Sequence, residues 1–161
     1  MRIHSIHERA LPPGDAPGSL IDGLAGDDDR LWPHDRWPAM RFEGGLHGGN
    51  HGGHGPIRYR VLEHQPGQLA RFGFTGPPGL IGEHRWELDS NSDPVVLRHV
   101  LIGHTEGRMR WQWPLLFEPL HDALVEDALD HAVAETSETV YLPARWRPRA
   151  RILRWLLDGL L

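Results

Sequence analysis

The chain has 161 residues, 39% hydrophobic and 24% charged, the size and balance of one globular domain with a real core. It has no cysteine, and all 17 basic residues are arginine, which excludes disulfides, thiolate metal sites, thiol nucleophiles, Schiff-base lysines and a phosphate-loop lysine. The net charge of −5 is uneven: residues 139–161 hold five arginines against one acid (+4), the other 138 residues 12 arginines against 21 acids (−9). That body repels nucleic acid, so none is expected as a partner.

Residues 2–10 alternate loosely and predict a first strand. Residues 11–38 are rich in Pro, Gly and Asp, with a short helix predicted from Ala16 to Leu24 and a solvated turn at Asp27-Asp28-Asp29. Met40–Glu43 reads as a short strand. The following GGLHGGNHGGHGP, residues 44–56, has no apolar period and reads as a loop unable to pack by itself.

Four strand signals come next. Ile57, Tyr59 and Val61 alternate with arginines, and Pro66-Gly67 turns the chain. Ala70, Phe72 and Phe74 alternate before a Gly-Pro-Pro-Gly turn. Gly82, His84, Trp86 and Leu88 alternate with Glu83, Arg85, Glu87 and Asp89, the clearest one-face-dry strand in the chain. In Val95–Thr105, Leu97, His99 and Leu101 share one face. Spacings this short leave no room for helices between strands, so the sheet is antiparallel.

After Gly107 the period changes. Trp113, Phe117, Leu120, Leu124, Ala128 and His131 recur every three or four residues, predicting a helix at about 117–137 with Pro119 at its N-terminal break. Asp122, Glu126, Asp130 and Glu135 lie opposite and read as a solvated acidic face. Pro143 and Pro148 bracket a break, and residues 149–158 predict a short basic amphipathic helix. The reading is therefore an α+β fold: a domain over 1–138 and a basic tail over 139–161.

This order of elements, with the stretch Gly107–His121 leading from strand into an acidic Leu/Ala-patterned helix, resembles the helix-grip fold of the START and polyketide-cyclase (SRPBCC) superfamily, which includes the birch-pollen-allergen proteins. The resemblance covers about residues 1–138; the tail lies outside it. It implies a curved antiparallel sheet wrapped around a long C-terminal helix, with a cavity between them that binds lipids, polyketides, hormones or other apolar molecules; some relatives catalyse cyclisation or dehydration there.

If the dry sheet face meets the helix, Tyr59, Phe72, Phe74, His84, Trp86, Leu97, His99, Trp113, Phe117 and His121 point inward and form a mostly apolar ligand-binding lining with a few polar groups. His84, His99 and His121, with Tyr59, are the acid–base candidates, because a histidine titrates near neutrality. The alternative is a filled core with each histidine hydrogen-bonded. His47, His51 and His54 in the glycine loop are weak metal candidates, since imidazole suits zinc, nickel or copper but the loop supplies no fourth ligand. In the helix segment His121–His131, i,i+4 neighbours such as Asp127 and His131 make a two-histidine carboxylate site imaginable. No nucleotide-binding, nucleophile-elbow or zinc-protease motif occurs, and no cofactor is expected. The basic tail, residues 145–161, is suited to a membrane surface or protein partner, to packing on its own domain, or to contact between two copies of the chain. No signal-peptide pattern or apolar run of about 20 residues occurs, and the chain reads as soluble and cytoplasmic.

Overall fold

A computed structural model of the chain describes residues 1–14, 16–137 and 145–157. Seven antiparallel strands form one sheet in the order β1-β7-β6-β5-β4-β3-β2. They are β1 (Arg2–Leu11), β2 (Arg41–Phe42), β3 (His51–His54), β4 (Ile57–Gln65), β5 (Leu69–Gly76), β6 (Leu80–Asp89) and β7 (Val95–Thr105). The central meander β4–β7 follows directly from its short turns, and β1 closes the far edge by pairing with β7 from Arg2↔His104 to Leu11↔Val95. Two register shifts in the β4–β5 pair bend the sheet.

Helix α1 (Ala16–Gly23) buries Pro17, Leu20 and Ile21. The predicted solvated turn behind it is partly inverted. Asp29 is buried, and its carboxylate accepts hydrogen bonds from the backbone N–H groups of Ala25, Leu31 and Trp32. Three orphan donors are thus satisfied by one side chain.

The expected Gly/His loop is also corrected. Residues 51–54 are strand β3, hydrogen-bonded between β2 and β4. Gly52 allows this, because a Cβ there would overlap the Arg41 carbonyl oxygen and the Phe42 ring. Phe42 stacks instead at 5.1 Å on Phe72.

The long helical arm has three parts: α2 (Met109–Gln112), a π-helical turn Trp113–Phe117 and α3 (Glu118–Thr136). Pro119 explains the irregularity. It has no N–H for the carbonyl of Leu115, one turn back, and its ring crowds that carbonyl. The Arg149 guanidinium donates to the Leu115 oxygen instead, at 3.0 Å. α3 buries Leu124, Val125, Ala128, Leu129 and Ala132 against the sheet and α1.

The acidic face expected to be solvated is instead half-buried against β1. Arg9 donates to Glu126 at 2.7 Å and to Asp130 at 2.9 Å, and the His7 ring lies 2.7 Å from Glu126. Asp127 is fully buried and pairs differently from the expected i,i+4 partner. It accepts from Arg36 at 2.6 Å and from the indoles of Trp37 and Trp146 at 2.7 and 2.9 Å. His131 lies 3.5 Å from Asp35. Through Trp146 and Ala150 the segment leading into and forming α4 (Pro148–Leu157) joins the domain core. Among the described residues, no helix is long and apolar enough to cross a membrane.

Candidate functional site

Between the sheet and the helical arm lies a cavity of about 290 Å³. Strand alternation and cross-strand register build its floor. Tyr59 on β4 pairs with Phe74 on β5, Phe72 on β5 with His84 on β6, and Trp86 on β6 with His99 on β7. One face of the meander therefore carries a continuous aromatic row: the Tyr59 and His84 rings are 4.5 Å apart, His84 and His99 5.3 Å, and Trp86 and His99 4.7 Å.

Of the expected lining, Tyr59, Phe74, His84, Trp86 and His99 reach the cavity from the sheet, and Trp113, Phe117 and His121 reach it from the helical arm. Phe72 and Leu97 point to the same side of the sheet but are fully buried in the core and pack beside the cavity. Alternation fixes the face of a side chain, not its distance along the strand. Trp32, Trp37, His54, Leu120, Leu124 and Arg154 complete the walls. Sequence reading missed most of these. The signal available was the repeated Trp-Pro of Trp32-Pro33 and Trp37-Pro38, two large aromatics in an otherwise polar stretch.

The expected metal loop separates. His47 and His51 are exposed, whereas His54 turns to the cavity, tilted against Trp32 at 4.6 Å, with its Nε2 hydrogen-bonded to the Tyr59 hydroxyl at 2.8 Å. Burial, reinforced by the charge of His121 and Arg58, lowers the His54 pKa to about 3. Burial pushes the Tyr59 hydroxyl up, so the phenol keeps its proton.

His84 and His99 are 4% and 3% exposed, and both are held well below the usual imidazole range, first by burial and then by the neighbouring charge of His121. Both rings are therefore neutral. His84 Nδ1 and His99 Nε2 are 3.1 Å apart, so one carries the shared proton and the other accepts it. The remaining nitrogens, His84 Nε2 and His99 Nδ1, have no protein partner. In either tautomer, one of them is a donor and the other an acceptor. The pair thus leaves one donor and one acceptor without a protein partner in the wall of an apolar cavity. Trp86 Nε1 and His121 Nε2 are further buried nitrogens without a partner.

No family model matches the chain, and no curated protein matches it in sequence. Solved structures do match. The di-domain ARO/CYC StfQ from the steffimycin biosynthetic pathway is 12% identical, aligned over 86% of this chain and 51% of that one, with a TM-score of 0.63. The helix-grip fold is what they share. CalU16 from Micromonospora echinospora is 13% identical over 99% of this chain and 96% of that one, TM-score 0.52. Norcoclaurine synthase from Thalictrum is 15% identical over 81% and 98%, TM-score 0.52. The chain spans about half of the di-domain StfQ and nearly all of the other two. At these identities the helix-grip likeness speaks for the fold alone.

Proposed function

We propose that this helix-grip chain binds a small apolar or amphipathic molecule, lipid-like or polyketide-like, in the cavity between sheet and helical arm. The observation that carries the reading is an aromatic space of about 290 Å³ with the His84–His99 pair in its wall, a pair that leaves one donor and one acceptor without a protein partner. That volume is at the low end of the ~300–1,000 Å³ typical of ligand pockets. Binding would draw on apolar burial, about 25 cal/mol per Å² before ordering costs. The polar pair selects a ligand with a hydroxyl or carbonyl group over a plain hydrocarbon.

The test is native mass spectrometry after gentle purification, followed by displacement of a fluorescent apolar dye. Leu120→Trp, which fills the cavity, should weaken dye binding at least tenfold while leaving the unfolding midpoint within a few degrees. Absence of dye binding in the unaltered chain would remove the proposal. So would equal affinity in the filled variant.

A second reading is an acid–base enzyme of the cyclase or dehydratase kind using His84, His99, His121 and Tyr59. It is supported by the partnerless nitrogens on the first three. The low basicity of His84 and His99 makes them poor proton abstractors near neutrality. Their fitting role is to polarise a bound carbonyl as neutral donors, in the way a neutral imidazole can. Turnover of a polyketone substrate that fails in His84→Leu with ligand affinity retained would favour this reading over simple binding.

A further inference from the structure

At the edge of the cavity, β1 and α3 bring His7 and Asp122 together with the lining residue His121. His7 Nε2 lies 3.3 Å from Asp122 Oδ1, and His121 Nδ1 lies 3.2 Å from that same oxygen. The three ligand atoms all lie within 4.8 Å of one another. Charge-assisted N–H···O bonds usually run about 2.7–2.9 Å, so both separations are long for ion pairs. They match the edge of a tetrahedron around zinc, which is about 3.3 Å when the metal–ligand bonds are about 2.0–2.1 Å.

The surroundings are those of a ligand set. The other nitrogen of His7, Nδ1, is 2.7 Å from Glu126 Oε1, and Glu126 Oε2 accepts from Arg9 at 2.7 Å. A carboxylate bonded to the far ring nitrogen fixes the tautomer and orientation of a metal-binding histidine. In the tautomer with the proton on Nδ1, the Nε2 lone pair faces Asp122. His121 uses the other nitrogen: its Nδ1 faces Asp122, while its Nε2 is buried without a partner.

We propose that His7, His121 and Asp122 form a binding site for a zinc ion on the outer wall of the cavity, with Glu126 and Arg9 as positioning residues. Three protein ligands leave a fourth position open, as in zinc sites that exchange water or substrate rather than purely structural ones. His121 belongs to the ion site and to the cavity lining at once. With Nδ1 on the ion, its proton must reside on Nε2, so an occupied site fixes the tautomer of a ring that lines the cavity. The inference is independent of any particular ligand and stands if the cavity proves to bind nothing.

The experiment uses the full chain, stripped with EDTA and titrated with Co²⁺ as an optical and paramagnetic probe. The expected result is one equivalent of saturable Co²⁺ with the visible bands of a four- or five-coordinate ion, displaced by one equivalent of Zn²⁺. Paramagnetic broadening should erase the His7 and His121 ring signals while those of His47 and His51 stay sharp. Asp122→Asn and His7→Gln should each weaken binding at least tenfold, Glu126→Gln should weaken it 10–100-fold, and His47→Ala with His51→Ala should change nothing. Absence of a saturable band in the unaltered chain overturns the proposal. Broadening centred on His47 and His51 also overturns it, and neither result depends on a variant folding.

Discussion

Acidification from pH 7.5 to 5.0 should destabilise this protein strongly, because three imidazoles are folded in neutral form. His54, His84 and His99 all have pKa values lowered by burial. In the unfolded chain each takes up a proton below about pH 6.5, while the folded chain does not, so the unfolded state binds more protons and stability falls with pH. Each group contributes about 1.4 kcal/mol per pH unit in that window. Down to pH 5.0 that is about 2 kcal/mol each, or roughly 6 kcal/mol for three. His7 acts in the opposite direction. Its raised pKa gives stability that is fully present below about 6.5 and lost as pH rises through the folded value. Asp122 and Glu126, lowered by their histidine and arginine partners, lose their contribution only below about pH 4. The net expected fall exceeds about 3 kcal/mol, a large share of the 5–15 kcal/mol typical of a domain. Urea unfolding followed by tryptophan fluorescence at several pH values measures it. Replacing the pair together, His84→Leu with His99→Leu, should remove about 4 kcal/mol of the dependence and leave only His54 working against His7. A stability equal within 1 kcal/mol at pH 7.5 and 5.0, or a full slope in the double variant, refutes the reasoning.

Asp127→Ala should cost about 3–5 kcal/mol in chemical denaturation, since it strands two indole N–H groups and the Arg36 guanidinium around a fully buried position. Trp146→Ala should cost about 2 kcal/mol by the same assay, from a half-buried ring packed 5.2 Å from Trp37. Gly52→Ala should cost about 1–3 kcal/mol. It should also accelerate amide hydrogen exchange at Glu43, whose N–H donates to His51, while β6 and β7 stay protected. Arg9→Gln should cost about 1 kcal/mol, because its two ion pairs are only partly shielded from solvent.

The parts of the fold legible in the sequence are those held by short-range periodicity. The alternation around Trp86 fixed which side of β6 is dry, and the three-four recurrence from Trp113 fixed the face of α3. Together they placed His84, His99 and His121 on opposing walls. Partners distant in sequence were not legible. Asp127 finds Arg36 and Trp37 91 and 90 residues away, and periodicity has no memory of such distances. His7 meets Glu126 across 119 residues. A signal existed: His7 and Arg9 alternate on β1, and Asp122, Glu126 and Asp130 repeat every helical turn, so the two stripes are complementary in charge. β3 was hidden for another reason. A strand of His-Gly-Gly-His has almost no side chains to show a pattern, and its order comes from the neighbours on either side.

The bond from Arg149 to the Leu115 oxygen ties two features into one. A proline that denies Leu115 its usual donor four residues on leaves that oxygen open to the C-terminal segment, and Arg149 donates to it. Regularising the helix at position 119 would give Leu115 an internal donor that competes with Arg149. The C-terminal segment is the one that carries Arg154 into the cavity wall. A local defect in one helix thus adds one tether to a piece of chain that Trp146 and Ala150 already hold to the core.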